Sequence, residues 1–249
     1  MAEAITSLLT VVSLTIVAVS FVASAITAAF GIGGGLLLIG VMSVLLPPAA
    51  IVPVHGVIML GSNAGRTGIL LPHVSWPIMI WFAAGAALGG FIGAQIVFDL
   101  QPTVLRLLIA GFILFTQWGP QFALPASRSF YSLAGGLSMF LTLFVGASGP
   151  FITAILSRMP DISRLALIAT AGACMTAQHG GKTLIFGFGG FSFGPWGPLI
   201  AASIIAGFFG TLLGTRILKH LNEEIFRRTL KWALTILAGW LVVLALAGV

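Results

Sequence analysis

The chain has 249 residues, 59% of them hydrophobic and 6% charged, with a formal net charge of +6. Its mean hydropathy is +1.16. A soluble domain carries about 25% charged residues, so this composition excludes a soluble globular protein and indicates a polytopic integral membrane protein.

The excess of Lys and Arg forms no patch or stripe, which argues against nucleic acid as a partner. The lone Cys174 excludes an intramolecular disulfide and a cysteine metal cluster.

Apolar runs bounded by turn residues and charges predict helices at about 5–30, 36–46, 50–70, 76–98 and 104–118, then at about 130–146, 150–158, 163–187, 196–218 and 226–247. The first run is preceded by Glu3 and by no Lys or Arg, so it reads as a retained helix and not a cleaved signal peptide. Most runs approach the roughly 20 residues that a spanning helix needs, but 36–46 and 150–158 are about half that. Each short run follows a glycine-rich break, Gly31-Ile-Gly-Gly-Gly35 or Gly146-Ala-Ser-Gly-Pro150. The expectation is a helical hairpin or broken helix at each break. Bare backbone at membrane depth is tolerated only where protein buries it or a cavity borders it, so the tips should point inward.

The two halves repeat one plan. Gly56, Met59, Asn63, Gly65, Arg66 and Thr67 recur 116 positions later as Gly172, Met175, His179, Gly181, Lys182 and Thr183. At the same offset Gly33 falls on Gly149. Paired interruptions at equivalent places in two halves point to a transporter's binding site. The expected architecture is all-α, with two repeats of about five elements each, 1–119 and 120–249, forming one membrane domain.

Loop charges bear on orientation. With five elements per half, Arg66, Arg128, Arg158, Arg164, Arg216, Lys219, Arg227, Arg228 and Lys231 fall on one side, nine of the eleven basic residues. The positive-inside rule makes that side cytoplasmic. An odd number of elements makes the repeats inverted and leaves both termini periplasmic in a bacterial inner membrane. Small residues spaced by four, Gly85, Gly89 and Gly93 in one half and Ala202, Ala206, Gly210 and Gly214 in the other, predict close helix packing.

The candidate chemistry lies in the few polar residues inside apolar runs. Gly33, Gly34 and Gly35 precede one half-helix, and Ser148 and Gly149 precede the other. Helix N-termini present unpaired N–H groups and partial positive charge, which suits an anion. The alternative is that these glycines serve hairpin packing alone. Asn63, Gln178 and His179 can donate hydrogen bonds to anionic oxygens, and His179 can carry a proton; the alternative for each is a helix–helix hydrogen bond. Arg66 and Lys182 are placed to flank the pathway, with snorkelling to head groups as the alternative. His55, beside Pro53, reads as interfacial.

Gly146-Ala-Ser148-Gly and His179 also resemble the serine and histidine elements of rhomboid intramembrane proteases, and a Ser–His pair can act as a nucleophile. The repeat instead makes this motif half of a symmetric binding site. No acidic residue lies well inside a spanning run, so neither a metal site nor a carboxylate proton relay is expected, and with no phosphate-binding loop or nucleotide motif no cofactor is expected.

Gly31-Ile-Gly-Gly-Gly35-Leu-Leu-Leu, the Leu46-Pro-Pro turn, Pro53-x-His-Gly and Asn63-x-Gly-Arg resemble, in order and spacing, the sulfite exporter TauE/SafE family of bacterial membrane transporters. The resemblance covers nearly the whole chain, although the second break departs from the glycine-rich form of the first. It implies transport of sulfite, sulfoacetate, a related organosulfonate or thiosulfate, with the lipid bilayer as surroundings and a proton or sodium ion as candidate coupling ion. The combined expectation is alternating access around a midplane anion site; an anion channel and an intramembrane serine protease are the alternatives.

Overall fold

The computed structural model describes residues 2–31, 33–95, 101–120, 127–156, 162–217 and 223–247. Every α-helical or 3₁₀ element among them falls close to an expected run. In chain order they are α1 Ala2–Phe30, α2 Gly34–Leu45, α3 Pro48–Ile69, α4 Trp76–Ala94, α5 Pro102–Trp118, α6 Arg128–Val145, α7 Gly149–Leu156, α8 Arg164–Phe188, α9 Gly197–Ile217 and α10 Glu223–Leu246. Short 3₁₀ turns at Leu71–His73 and Gly194–Trp196 precede α4 and α9. The expected loops near 119–129, 158–163 and 219–226 fall largely outside the described residues.

Local chemistry accounts for the boundaries. Proline stands in the first turn of α3, α4 and α5, where a missing N–H costs nothing. Ser127 and Ser163 cap α6 and α8 by accepting from the Phe130 and Ala166 amides, both at 3.2 Å. α1 and α6 both stop at a glycine with positive φ, Gly31 at 77° and Gly146 at 80°. That left-handed conformation turns the chain back for α2 and α7 and favours glycine.

The breaks therefore match at Gly31 with Gly146 and at Gly34 with Gly149, the first residues of α2 and α7. This is one position short of the 116 that relates α3 to α8, so the expected pairing of Gly33 with Gly149 is corrected. The backbone turn sets this register, and Ser148 stands where the first break has Gly33.

Packing is reciprocal between the halves. α4 lies along α6 as α1 lies along α9, α4 touches α8 as α9 touches α3, and α3 and α8 pack on each other, as do α5 and α10. Glycines make the closest approaches. A side chain on Gly85 or Gly89 would strike the backbone of Ser132 or Gly136, and one on Gly210 or Gly214 the backbone of Phe21 or Ala25.

The α4 stripe is as expected, but the α9 stripe is corrected. Ala202 is exposed, while Ser203, Gly207, Gly210, Thr211 and Gly214 are buried. Strict spacing by four rotates about 40° per step away from a 3.6-residue period, so a run of four such positions leaves the contact face.

Val11–Ala29, Trp76–Ala94, Arg128–Val145 and Gly194–Gly214 are long and apolar enough to cross a membrane. Their outer faces carry exposed Leu14, Leu88, Phe91 and Phe209. Such a surface is stable against lipid and costly in water. The protein is a multi-pass membrane protein. Inside this shell, α3 and α8 bring His55, Asn63, Arg66, Gln178, His179 and Lys182 to the centre.

Candidate functional site

α2 and α7 start from the two breaks beside the central α3–α8 pair, and a cavity lies there. It is lined by Thr27, Gly31, Gly33, Gly35, Leu36, His55, Met59, Ala147, Ser148, Gly149, Met175 and His179. Its volume of about 20 Å³ suits a single water. Both breaks border one space. Of the expected site residues, Gly33, Gly35, Ser148, Gly149 and His179 line it.

The others take different places. Gly34 packs so closely on α1 that a side chain there would strike Ala23 and Thr27. Gln178 stands behind the wall, accepting from Ser148 Oγ at 2.7 Å and donating through Nε2 to Ser138 Oγ at 2.7 Å. All three residues are buried, and the relay fixes the Ser148 hydroxyl beside the cavity. Asn63 donates to the Met59 carbonyl at 2.7 Å and accepts from Arg66 Nη2 at 2.5 Å.

The cations do not snorkel. Lys182 is fully buried and Arg66 is 5% exposed. Lys182 Nζ donates to the carbonyl of Gly146 at 2.8 Å, at the C-terminus of α6, where positive charge is favoured. The carbonyl of Gly31, its counterpart, accepts from Thr153 Oγ1 of α7 at 3.1 Å. Helix-terminal carbonyls lack intrahelical partners, and here one break is tied by a cation and the other by a hydroxyl from the opposite half.

The cations also cross between halves. A Cβ on Gly56 would stand 2.7 Å from Lys182 Cε, and one on Gly172 would stand 3.3 Å from Arg66 Nε. Arg66 Nε and His179 Nδ1 are buried without a hydrogen-bond partner.

Lysine is almost never fully buried unless paired, yet Asp and Glu occur only at positions 3, 99, 161, 223 and 224. None lies in α2 through α9. Among the described residues the centre thus holds basic groups and uncommitted donors without a carboxylate.

His55 corrects the sequence reading. It is fully buried, not interfacial; its Nε2 donates to the Gly35 carbonyl at 3.1 Å. Its ring meets that of His179 edge-on with centroids 5.9 Å apart. α3 begins at Pro48, so position 55 lies two turns inside the helix, where α2 folds back on it. Met59 and Met175 were visible as a repeated pair but not as cavity wall, because that depends on where the breaks fold.

The family model for the sulfite exporter TauE/SafE matches residues 16–241, nearly the whole chain. The chain belongs to the sulfite exporter TauE/SafE family. Searches of curated proteins and of solved structures gave no match. Members of the TauE/SafE family are membrane exporters of sulfite and related sulfur anions. A basic centre bounded by glycine breaks, inside a shell of apolar helices, is consistent with an anionic substrate.

Proposed function

We propose that this TauE/SafE protein carries a small sulfur-containing anion, sulfite or an organosulfonate such as sulfoacetate, across the bacterial inner membrane by alternating access. The anion sits between the two breaks. Gly33, Gly35 and Gly149 offer backbone, His179 offers a side-chain donor, and Ser148, whose hydroxyl donates to Gln178, turns that proton to the anion on binding. Lys182 and Arg66 supply charge from behind the wall, with Asn63 holding Arg66 in place. The carrying observation is the burial of Lys182 and Arg66 beside this cavity in a chain whose α2 through α9 contain no carboxylate. An uncompensated cation in a low-dielectric interior is costly, and a bound anion removes that cost.

Residues 1–119 and 120–249 act as inverted repeats with both termini periplasmic. The reciprocal α4–α6 and α1–α9 packing and the crossed Lys182–Gly56 and Arg66–Gly172 contacts support this reading. Rocking one half against the other would open the water-sized cavity to each side in turn. A protease is disfavoured because the Ser148 hydroxyl donates to Gln178 and not to His179. A thermal-shift screen of the purified protein with sulfite, sulfate, thiosulfate, taurine, isethionate and sulfoacetate tests the proposal. Stabilisation by sulfite or a sulfonate is expected; no stabilisation by any of the six contradicts it.

A further inference from the structure

The cavity between the breaks has a mixed lining. Ser148, His55, His179 and glycine backbone supply polar groups, while Leu36, Ala147, Met59 and Met175 supply apolar surface. Met59 and Met175 are 6% and 3% exposed and occupy equivalent positions in the repeated segment. Each lies over a glycine in the first turn of a half-helix. Met59 Cε would be 3.4 Å from a Cβ on Gly35, and Met175 Cε 3.3 Å from one on Gly149. Each methionine is one helical turn from a histidine of the same lining, Met59 from His55 on α3 and Met175 from His179 on α8, and His179 carries a buried Nδ1 without a partner. A ligand filling this space meets both hydrogen-bonding groups and two thioethers.

A thioether donates no hydrogen bond and accepts only weakly. An anionic oxygen pressed against it loses hydration without replacement. A carbon or a polarisable sulfur loses little there and gains dispersion contact. We propose that Met59 and Met175 are specificity-determining residues that select an oxyanion with one corner that is not oxygen. Three oxygens meet the polar groups, and the fourth corner meets the thioethers. That corner is the lone pair of sulfite, the carbon of a sulfonate or the outer sulfur of thiosulfate. Sulfate and phosphate, with oxygen at all four corners, are rejected. The assignment rests on the cavity being the anion site.

Calorimetric titration of the full-length purified protein with methanesulfonate, thiosulfate and sulfate tests it. The wild type is expected to bind the first two at least roughly tenfold more tightly than sulfate, a margin of about 1.4 kcal/mol. In the double variant Met59→Gln, Met175→Gln, which gives oxygen a donor at similar side-chain length, that margin is expected to collapse through a gain in sulfate affinity. Met59→Leu, Met175→Leu keeps that surface apolar and is expected to keep the margin. Equal wild-type affinities overturn the assignment, as does a margin that survives the glutamines. If the glutamine variant fails to fold, the wild-type margin and the leucine variant still decide: loss of discrimination in either overturns the assignment. Absence of binding by all three probes contradicts the anion site itself, and the methionine assignment with it. Binding without discrimination contradicts the methionine assignment alone.

Discussion

Lys182 lies across Gly56 on its way to the Gly146 carbonyl, so a residue of α8 crosses α3 to tie down the end of α6. Arg66 of α3 lies across Gly172 of α8 in the reciprocal way. Each glycine is the repeat counterpart of the other, and each cation the counterpart of the other. The two positive groups are thereby set in the α3–α8 core through glycines that leave them room.

That relationship makes the first prediction. In Gly56→Ala the new methyl would stand 2.7 Å from Lys182 Cε. The end of a lysine is flexible, so the chain shifts and the bond to Gly146 lengthens while the fold survives. The expected result is a fall in anion affinity of roughly fivefold, about 1 kcal/mol, with a thermal midpoint within a few degrees of wild type. Gly172→Ala, which would stand 3.3 Å from Arg66 Nε, is expected to have the smaller effect. Titration calorimetry and thermal melts of both variants check the ranking.

The break glycines give the second. Gly33 has φ 98°, where a side chain is strained, and it lines the cavity. A side chain on Gly149 would begin 3.3 Å from Met175 Cε. Gly33→Leu and Gly149→Leu are each expected to abolish transport while expression and helical content stay largely intact. Flux in proteoliposomes and circular dichroism read the two parts separately. Normal flux in either would make the breaks packing devices only.

Ser148 provides the third. Ser148→Ala removes the donor to Gln178 Oε1 and leaves a buried acceptor unmet, a cost of about 1–3 kcal/mol. A lowered thermal midpoint and weaker anion binding are the expected outcome. Wild-type Ser148 is also expected to resist labelling by a fluorophosphonate. Labelling there would revive the protease reading.

Orientation gives the fourth. With Arg66 buried in the core, the other eight basic residues assigned to one side predict cytoplasmic loops near 66–75, 119–129, 158–163 and 219–226, with both termini outside. Reporter fusions at Pro125 and at the C-terminus are expected to give opposite signals. Matching signals would remove the five-plus-five arrangement.

Much of this molecule was legible in the sequence because lipid imposes simple rules. Long apolar runs had to be helices, and the breaks at 31–35 and 146–150 had to be sheltered by protein. The repeat placed Asn63, Arg66, His179 and Lys182 on the two central helices.

What escaped depended on how the elements fold against one another. His55 looked interfacial until α2, folding back, brought the Gly35 carbonyl to its ring. The break register slipped by one because the left-handed turns fall at Gly31 and Gly146, which glycine counting cannot locate. That Lys182 reaches the Gly146 carbonyl at one of the breaks also follows from the fold and not from its place in the repeat.

The central claim is that buried positive charge at the breaks binds the anion. At contact distance such attraction is about 4 kcal/mol at an effective dielectric of 20, and far weaker in water. Isothermal titration of sulfite into wild type, Lys182→Met and Lys182→Arg tests it most directly. The prediction is at least a roughly tenfold higher dissociation constant for Lys182→Met, about 1.4 kcal/mol, with much of the affinity kept in Lys182→Arg. Equal affinity in Lys182→Met and wild type would contradict it.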